Sequence, residues 1–283
     1  MTVEVAIPTR AVLGEGPRWD AAGGRLLWVD IEAGVLHVFE PEGDGDRAIA
    51  LHARVGAAVP ASDGRVLAAL ADRLALVDLA DGPLETLAEI PHPGDRRLND
   101  GACDPTGRFW VGSMALDERP GGGALYSFTL ADGLDRVLDG VTLSNGLGWS
   151  PDGRLLFYVD SPTQRIDIFD FEPGTGTISG RRRFVEIEPE AGIPDGLTVD
   201  AEGGVWLALF GGGAVRRYAP DGALDLVLEL PARKVTACCF GGADGRELYV
   251  TTASIGDEPE PAGSVFVAAI GVAGPPAQPF HVG

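Results

Sequence analysis

Lysine is almost missing from this chain: among its 22 basic residues only Lys234 is lysine, and the rest are arginine. A phosphate-cradling GxxxxGK[ST] loop needs a lysine after its glycine, and Lys234 lies in ARKV, so that mode of nucleotide binding is excluded. Cysteine is scarce as well. Cys103 and the adjacent Cys238 and Cys239 make an odd count that builds no disulfide framework and suits a reducing cytoplasm. No run approaches the ~18 consecutive apolar residues that a bilayer-spanning helix needs. The opening MTVEVAIPTR has neither the basic start nor the apolar stretch of a secretory signal, so a cytoplasmic location is expected. Positive charge is outweighed, with 22 basic against 42 acidic residues and a net charge of −20. Such a surface repels phosphate backbones and anionic membranes, so neither nucleic acid nor membrane is an expected partner. G-x-S-x-G is absent, which removes the nucleophile elbow of serine hydrolases. EGDGDR (42–47) lacks the glycine and glutamate that an EF-hand places at positions six and twelve. The four histidines (His37, His52, His92 and His281) have no H-x-x-x-H or cysteine partner and read as surface or strand residues.

Glycine and proline, by contrast, are abundant, at 41 and 21 of 283 residues, and they recur in order. Turn signals appear as DAAGGR, SDGR, DPTGR, SPDGR, DAEGG and GADGR, with their glycines at 23, 64, 107, 153, 203 and 245. The spacings of 41, 43, 46, 50 and 42 residues are the period of a repeat architecture. After each turn comes a short apolar, β-branched or aromatic run such as RLLWVDI or RLLFYVD. A second run follows, and no long helical periodicity competes. About four antiparallel strands per unit and six units predict an all-β fold, a six-bladed β-propeller. The first residues resemble the blade-ending segments, so the N-terminal strand is expected to complete the last blade as its outer strand and close the ring. Residues 1–283 then form one domain, with a core of ample size for this length, as a monomer or weak homo-oligomer.

Rotational repetition makes equivalent positions neighbours around the axis. Eight residues before each turn glycine stand Glu15, Gly56, Asn99, Asn145, Asp195 and Ala237. Four of these six bear side-chain oxygens, and they are expected to face one another at the start of the innermost strands. Asn-Gly and Asp-Gly are also ordinary turn dipeptides, but four occurrences at one phase favour a site. Two carboxylates and two amides make a hard, all-oxygen cage suited to Ca²⁺, Mg²⁺ or Mn²⁺. Without a cation, the crowded carboxylates should raise a pKa. Trp19, Trp149 and Trp206 are expected to pack between blades, and Cys238 and Cys239 within an inner strand.

The motifs LGEGPRW (13–19), RLNDG (97–101), GSMALDE (112–118), GGALYSF (122–128), SNGLGWSPDG (144–153) and IPDGL (193–197) together resemble those of the SMP-30/gluconolactonase/regucalcin-like family over essentially the full chain. The resemblance implies a six-bladed propeller with one divalent cation in its channel and the hydrolysis of sugar-derived lactones. It implies Glu15, Asn145 and Asp195 as metal ligands, with Asp195 also the catalytic acid/base. Ca²⁺ is the foremost cation, and Zn²⁺, Mn²⁺, Mg²⁺ and Fe²⁺ suit the same set. Arg97 and Asn99 are implied as substrate contacts, joined by Asp117, with Glu118 beside it; Ser113 replaces a common threonine. Two other activities are compatible with the same cage: calcium binding without catalysis, and phosphotriester hydrolysis.

Overall fold

The computed structural model describes residues 1–80, 84–90, 94–256 and 258–282, so His92 lies outside the described residues. Among these residues twenty-four strands form six four-stranded antiparallel sheets, the blades of a propeller. Strand β1 (Val3–Ile7) precedes blade 1, which comprises β2 (Gly14–Asp20), β3 (Arg25–Asp30), β4 (Val35–Glu40) and β5 (Gly45–Ala50). Blade 2 holds β6 (Val55–Pro60), β7 (Val66–Leu70), β8 (Arg73–Val77) and β9 (Glu85–Glu89). Blade 3 holds β10 (Arg96–Cys103), β11 (Phe109–Ala115), β12 (Gly123–Thr129) and β13 (Gly133–Val141). Blade 4 runs through β14 (Ser144–Trp149), β15 (Leu155–Asp160), β16 (Arg165–Glu172) and β17 (Thr177–Glu186). Blade 5 runs through β18 (Ile193–Val199), β19 (Val205–Phe210), β20 (Ala214–Tyr218) and β21 (Leu224–Glu229). Blade 6 takes β22 (Val235–Gly241), β23 (Glu247–Thr252) and β24 (Val265–Ala269) from the end of the chain and β1 from its start. Val3 pairs with Ala268 and Val5 with Phe266, so the outermost strand of the last blade is N-terminal, as its sequence suggested.

Burial grades outward from the axis. The inner strands β2, β6 and β22 are buried along their length, whereas the outer β5, β9 and β17 are mostly exposed and carry charges, among them Arg181, Arg182 and Arg183. Charged edges discourage pairing with another chain. The apolar core is divided among the six junctions between neighbouring blades, each with its own cluster of buried side chains. Tryptophans span three of them: Trp19 stacks on Tyr249 at 5.7 Å, Trp206 meets Phe240 edge-on at 5.7 Å, and Trp149 meets Trp110 at 6.1 Å. Such pairs add about 0.5–1.5 kcal/mol each beyond the area they bury.

The repeated turns lock the blades from within. Asp200 accepts from the N–H groups of Glu202 and Gly204, from Trp206 Nε1 and from Arg217. Asp104 does the same for Thr106, Arg108 and Trp110. An aspartate at this phase therefore closes the turn and fixes the tryptophan of the next strand. No helix among the described residues is long and apolar enough to cross a membrane.

Candidate active site

All six inner strands enter the channel from the same end. Asp30, at the end of β3, accepts from the N–H groups of Val12 at 2.8 Å and Leu13 at 3.2 Å. Asp160, at the same phase in blade 4, accepts from Leu143 at 2.9 Å and Thr142 at 3.2 Å. These carboxylates hold the segments that lead to Glu15 and Asn145. Every inner strand then carries one extra residue against its partner: after Glu15, Val55, Leu98, Ser144, Pro194 and Val235. A bulge re-aims the side chains beside it. In blades 1, 3, 4 and 5 it falls at Glu15, Asn99, Asn145 and Asp195, all 7 % exposed or less.

The Asn-Gly and Asp-Gly pairs here lie inside strands, where they let blades approach. A β-carbon on Gly146 would stand 2.6 Å from Asp195 O, and one on Gly196 would stand 2.4 Å from the Ala237 side chain. Glycine at the bulge is what allows neighbouring inner strands to bring their polar residues close.

A belt of hydrogen bonds joins three blades. Arg97 Nη1 donates to Asn99 Oδ1 and to Leu98 O. Asn99 Nδ2 donates to Asn145 Oδ1 and to Ser144 O, both at 2.8 Å. Asn145 Nδ2 donates to Ser161 Oγ at 2.8 Å, and that hydroxyl donates to Pro194 O at 2.7 Å, next to Asp195. The amides are therefore held in fixed orientations, and Asn145 keeps a second lone pair on Oδ1. Among the described residues, Glu15 Oε2 accepts only from the N–H of Gly16, at 2.9 Å.

Electrostatics separate this site from the rest of the molecule. Burial, followed by the negative charge of Asp100, pushes the Glu15 carboxyl up to about 8. Burial, reinforced by Glu15 and Asp100, holds Asp195 well above the usual carboxylate range. Asp100 is raised by burial too, and burial lowers Arg97. Three acids face two arginines, Arg97 and Arg18, so the ionised site is short of positive charge. Asp195 Oδ1 is buried with no hydrogen-bond donor among the described residues. Among the described residues no three His, Cys, Asp or Glu side chains group as a metal site by themselves. The donor set is instead two carboxylates completed by an amide oxygen, and a hard divalent cation fits both the undonated oxygen and the missing charge.

Two residues of the site escaped the sequence reading. Arg18 reaches from blade 1 to blade 3, donating from Nη2 to Asp100 Oδ1 and Gly101 O, each at 3.0 Å, and from Nη1 to Pro17 O at 2.8 Å. This buried pair lies below Glu15 and Asn99. Its signal was available, since both charges stand in strands otherwise built for burial. Asp117 is different. It follows β11, on the side where Met114 pairs with Arg97, but its side chain is 64 % exposed and ion-paired with Arg119 at 2.8 Å. Arg119 also holds Asp95 at 2.6 Å. The structure thus gathers Glu15, Arg97, Asn99, Asn145 and Asp195 and leaves Asp117, with the exposed Glu118, on the rim. His37 stays apart from it, bonding Asp46 and stacking on Trp28.

Fold and site together define a six-bladed propeller with an acid- and amide-lined site at one mouth of its central channel. The chain belongs to the SMP-30/Gluconolactonase/LRE-like family, whose characteristic region it matches over residues 13–254. It is 38% identical to the putative sugar lactone lactonase YvrE of Bacillus subtilis, over 87% of this chain and 85% of that one. It is 37% identical to regucalcin of Danio rerio, over 97% and 96% of the two chains. Among solved structures, a calcium-binding protein, regucalcin, from Agrobacterium tumefaciens superposes with a TM-score of 0.93 at 30% identity, covering 98% of this chain and 96% of that one.

Proposed function

We propose that the protein opens sugar-derived lactones by hydrolysis, with a divalent cation, Ca²⁺ foremost, held by Glu15, Asn145 and Asp195. The observation that carries this reading is Asp195 Oδ1, a buried carboxylate oxygen with no donor, beside a second buried carboxylate. The resemblance to a putative sugar lactone lactonase supports the substrate class. When bound, the cation polarises the ester carbonyl and offsets the negative charge that develops on its oxygen.

The chain's own groups supply the rest. Asp195 accepts a proton from the attacking water on its carboxylate and returns it to the ring oxygen as the acyl–oxygen bond breaks, so one water and one lactone become one hydroxy acid. Arg97 and Asn99, fixed to each other and to Asn145, offer donors that orient the hydroxylated ring over Asp195. Asp117 contacts sugar hydroxyls from the rim, which requires it to leave Arg119 or to share it.

Base uptake at constant pH with a panel of aldonolactones tests this, run with Ca²⁺, Mn²⁺, Zn²⁺, Mg²⁺ or Fe²⁺ and with chelator. The expected result is a rate on at least one lactone that chelator removes and cation restores. A second reading, calcium binding without catalysis, is supported by the oxygen-only donor set and by the regucalcin relatives. Cation binding with no lactone opened would decide for it.

A further inference from the structure

Arg18 is buried on β2, three residues beyond Glu15, in a site whose acids are short of donors. Among the described residues it nevertheless bonds to neither Glu15 nor Asp195. Its Nη1 donates to Pro17 O at 2.8 Å, and its Nη2 to Asp100 Oδ1 and Gly101 O, each at 3.0 Å. Two of these acceptors are backbone carbonyls on β2 and β10, which fix the guanidinium in place. Asp100 is tied down in the same way, since its Oδ1 also accepts the N–H of Gly101 at 2.8 Å. The undonated oxygens are left alone: among the described residues Glu15 Oε2 receives only the Gly16 N–H, and Asp195 Oδ1 receives nothing. Arg18 thus lends its charge to the site without competing for the acids.

We propose that the Arg18–Asp100 pair sets the charge selectivity of the cation site, matching it to a divalent ion and disfavouring a trivalent ion of similar size. This rests on the proposal that Glu15, Asn145 and Asp195 hold a cation. The pair joins blades 1 and 3 with both charges buried, at 7 % and 3 % exposure, so salt screens it little. Its field reaches the acids. After burial, Asp100 is the strongest influence raising Glu15, and Arg18 acts on Glu15 in the opposite sense. Asp100 also raises Asp195, behind burial and Glu15. Ionised Glu15, Asp100 and Asp195 against Arg18 and Arg97 leave one negative charge in excess. Losing Arg18 alone would leave two, and neutralising Asp100 alone would leave none. Coulomb attraction scales with the product of the charges, so each added negative charge favours a trivalent ion over a divalent one. A pair that only braced blades 1 and 3 would be indifferent to the charge of the ion.

The test is titration of the full chain at pH 8 with radioactive Ca²⁺, followed by its displacement with Tb³⁺, an ion of similar radius that also takes oxygen ligands. The signal of the site itself is the part that Asp195→Asn abolishes, and the readout is the ratio of Tb³⁺ to Ca²⁺ affinity. Arg18→Gln keeps a donor for Asp100 and removes the positive charge. It should raise the ratio about five-fold and tighten Ca²⁺ as well. Asp100→Asn leaves Arg18 unopposed and should lower the ratio about five-fold, with weaker Ca²⁺ binding. The double variant should return close to the native ratio. Two single variants that both weaken Ca²⁺ and leave the ratio unchanged overturn the inference and make the pair a brace. A double variant that does not return also overturns it. Asp100→Asn, which keeps the shape of its side chain, decides alone if Arg18→Gln does not fold. A native chain that binds neither ion overturns the cation reading itself, and this inference with it.

Discussion

The two ends of one channel are built from the same six strands and have opposite chemistry. At the entry end, the bulges fall at Glu15, Asn99, Asn145 and Asp195, and Asn99 of blade 3 donates to Asn145 of blade 4. At the exit end, Cys103, Leu147, Trp149 and Cys239 line a cavity that Gly274 to Gln278 border. Between them lies the Arg18–Asp100 pair, buried and charged. The lesson is that strand register sets chemistry along the axis: one extra residue at one phase makes a polar ring, and regular alternation beyond it makes an apolar one.

The sharpest way to separate the ends is Asp195→Asn. Lactone turnover should fall about 10²- to 10⁴-fold, because the proton acceptor is gone, while circular dichroism and packing stay unchanged. Retained activity would remove Asp195 from its role. Trp206→Ala strikes a blade junction instead, and should cost about 3–5 kcal/mol of stability in denaturant unfolding while turnover of the folded fraction persists.

The entry end also predicts a pH response. The Glu15 carboxyl titrates near 4.5 when unfolded and about 8 in the folded, metal-free protein. The folded state therefore holds the proton more tightly, and its stabilising effect is complete at low pH and lost as pH rises through about 8. Thermal melts of metal-free protein from pH 5 to pH 8.5 should show a declining melting temperature, flattened by Glu15→Gln or by excess Ca²⁺. A flat profile in the native, metal-free chain would sink this account. Gly146→Ala places a β-carbon against Asp195 O and should destabilise by about 1–3 kcal/mol, with turnover falling as Asp195 shifts. Asp117→Asn, on the exposed rim, should be mildest: a rise in KM of no more than about ten-fold with kcat nearly unchanged.

Much of this was legible in the chain because repetition does the work of tertiary information. Glycines spaced by 41–50 residues located six blades and picked out Glu15, Asn99, Asn145 and Asp195 as equivalent positions. The structure places those four on the inner strands at the bulges, and the β1 closure likewise lies where the opening VEVAI suggested. Arg18 and Asp100 were missed because a phase argument finds residues that repeat, and this pair occurs once. Asp117 was reachable only through a motif, and the motif carried no information about Arg119 drawing it outward.

What the sequence determined alone was periodic: blade number, strand order within each blade, and which oxygens share a radius. These follow from local turns and alternation, which act over a few residues and repeat with the chain. The tertiary structure decided what depends on closure of the ring. Only there do Asn99 and Asn145 meet across blades, do two carboxylates lose their water together, and does the C-terminal segment cross beneath the channel. Each needs groups distant in sequence brought within a few ångströms, and no local rule encodes that distance.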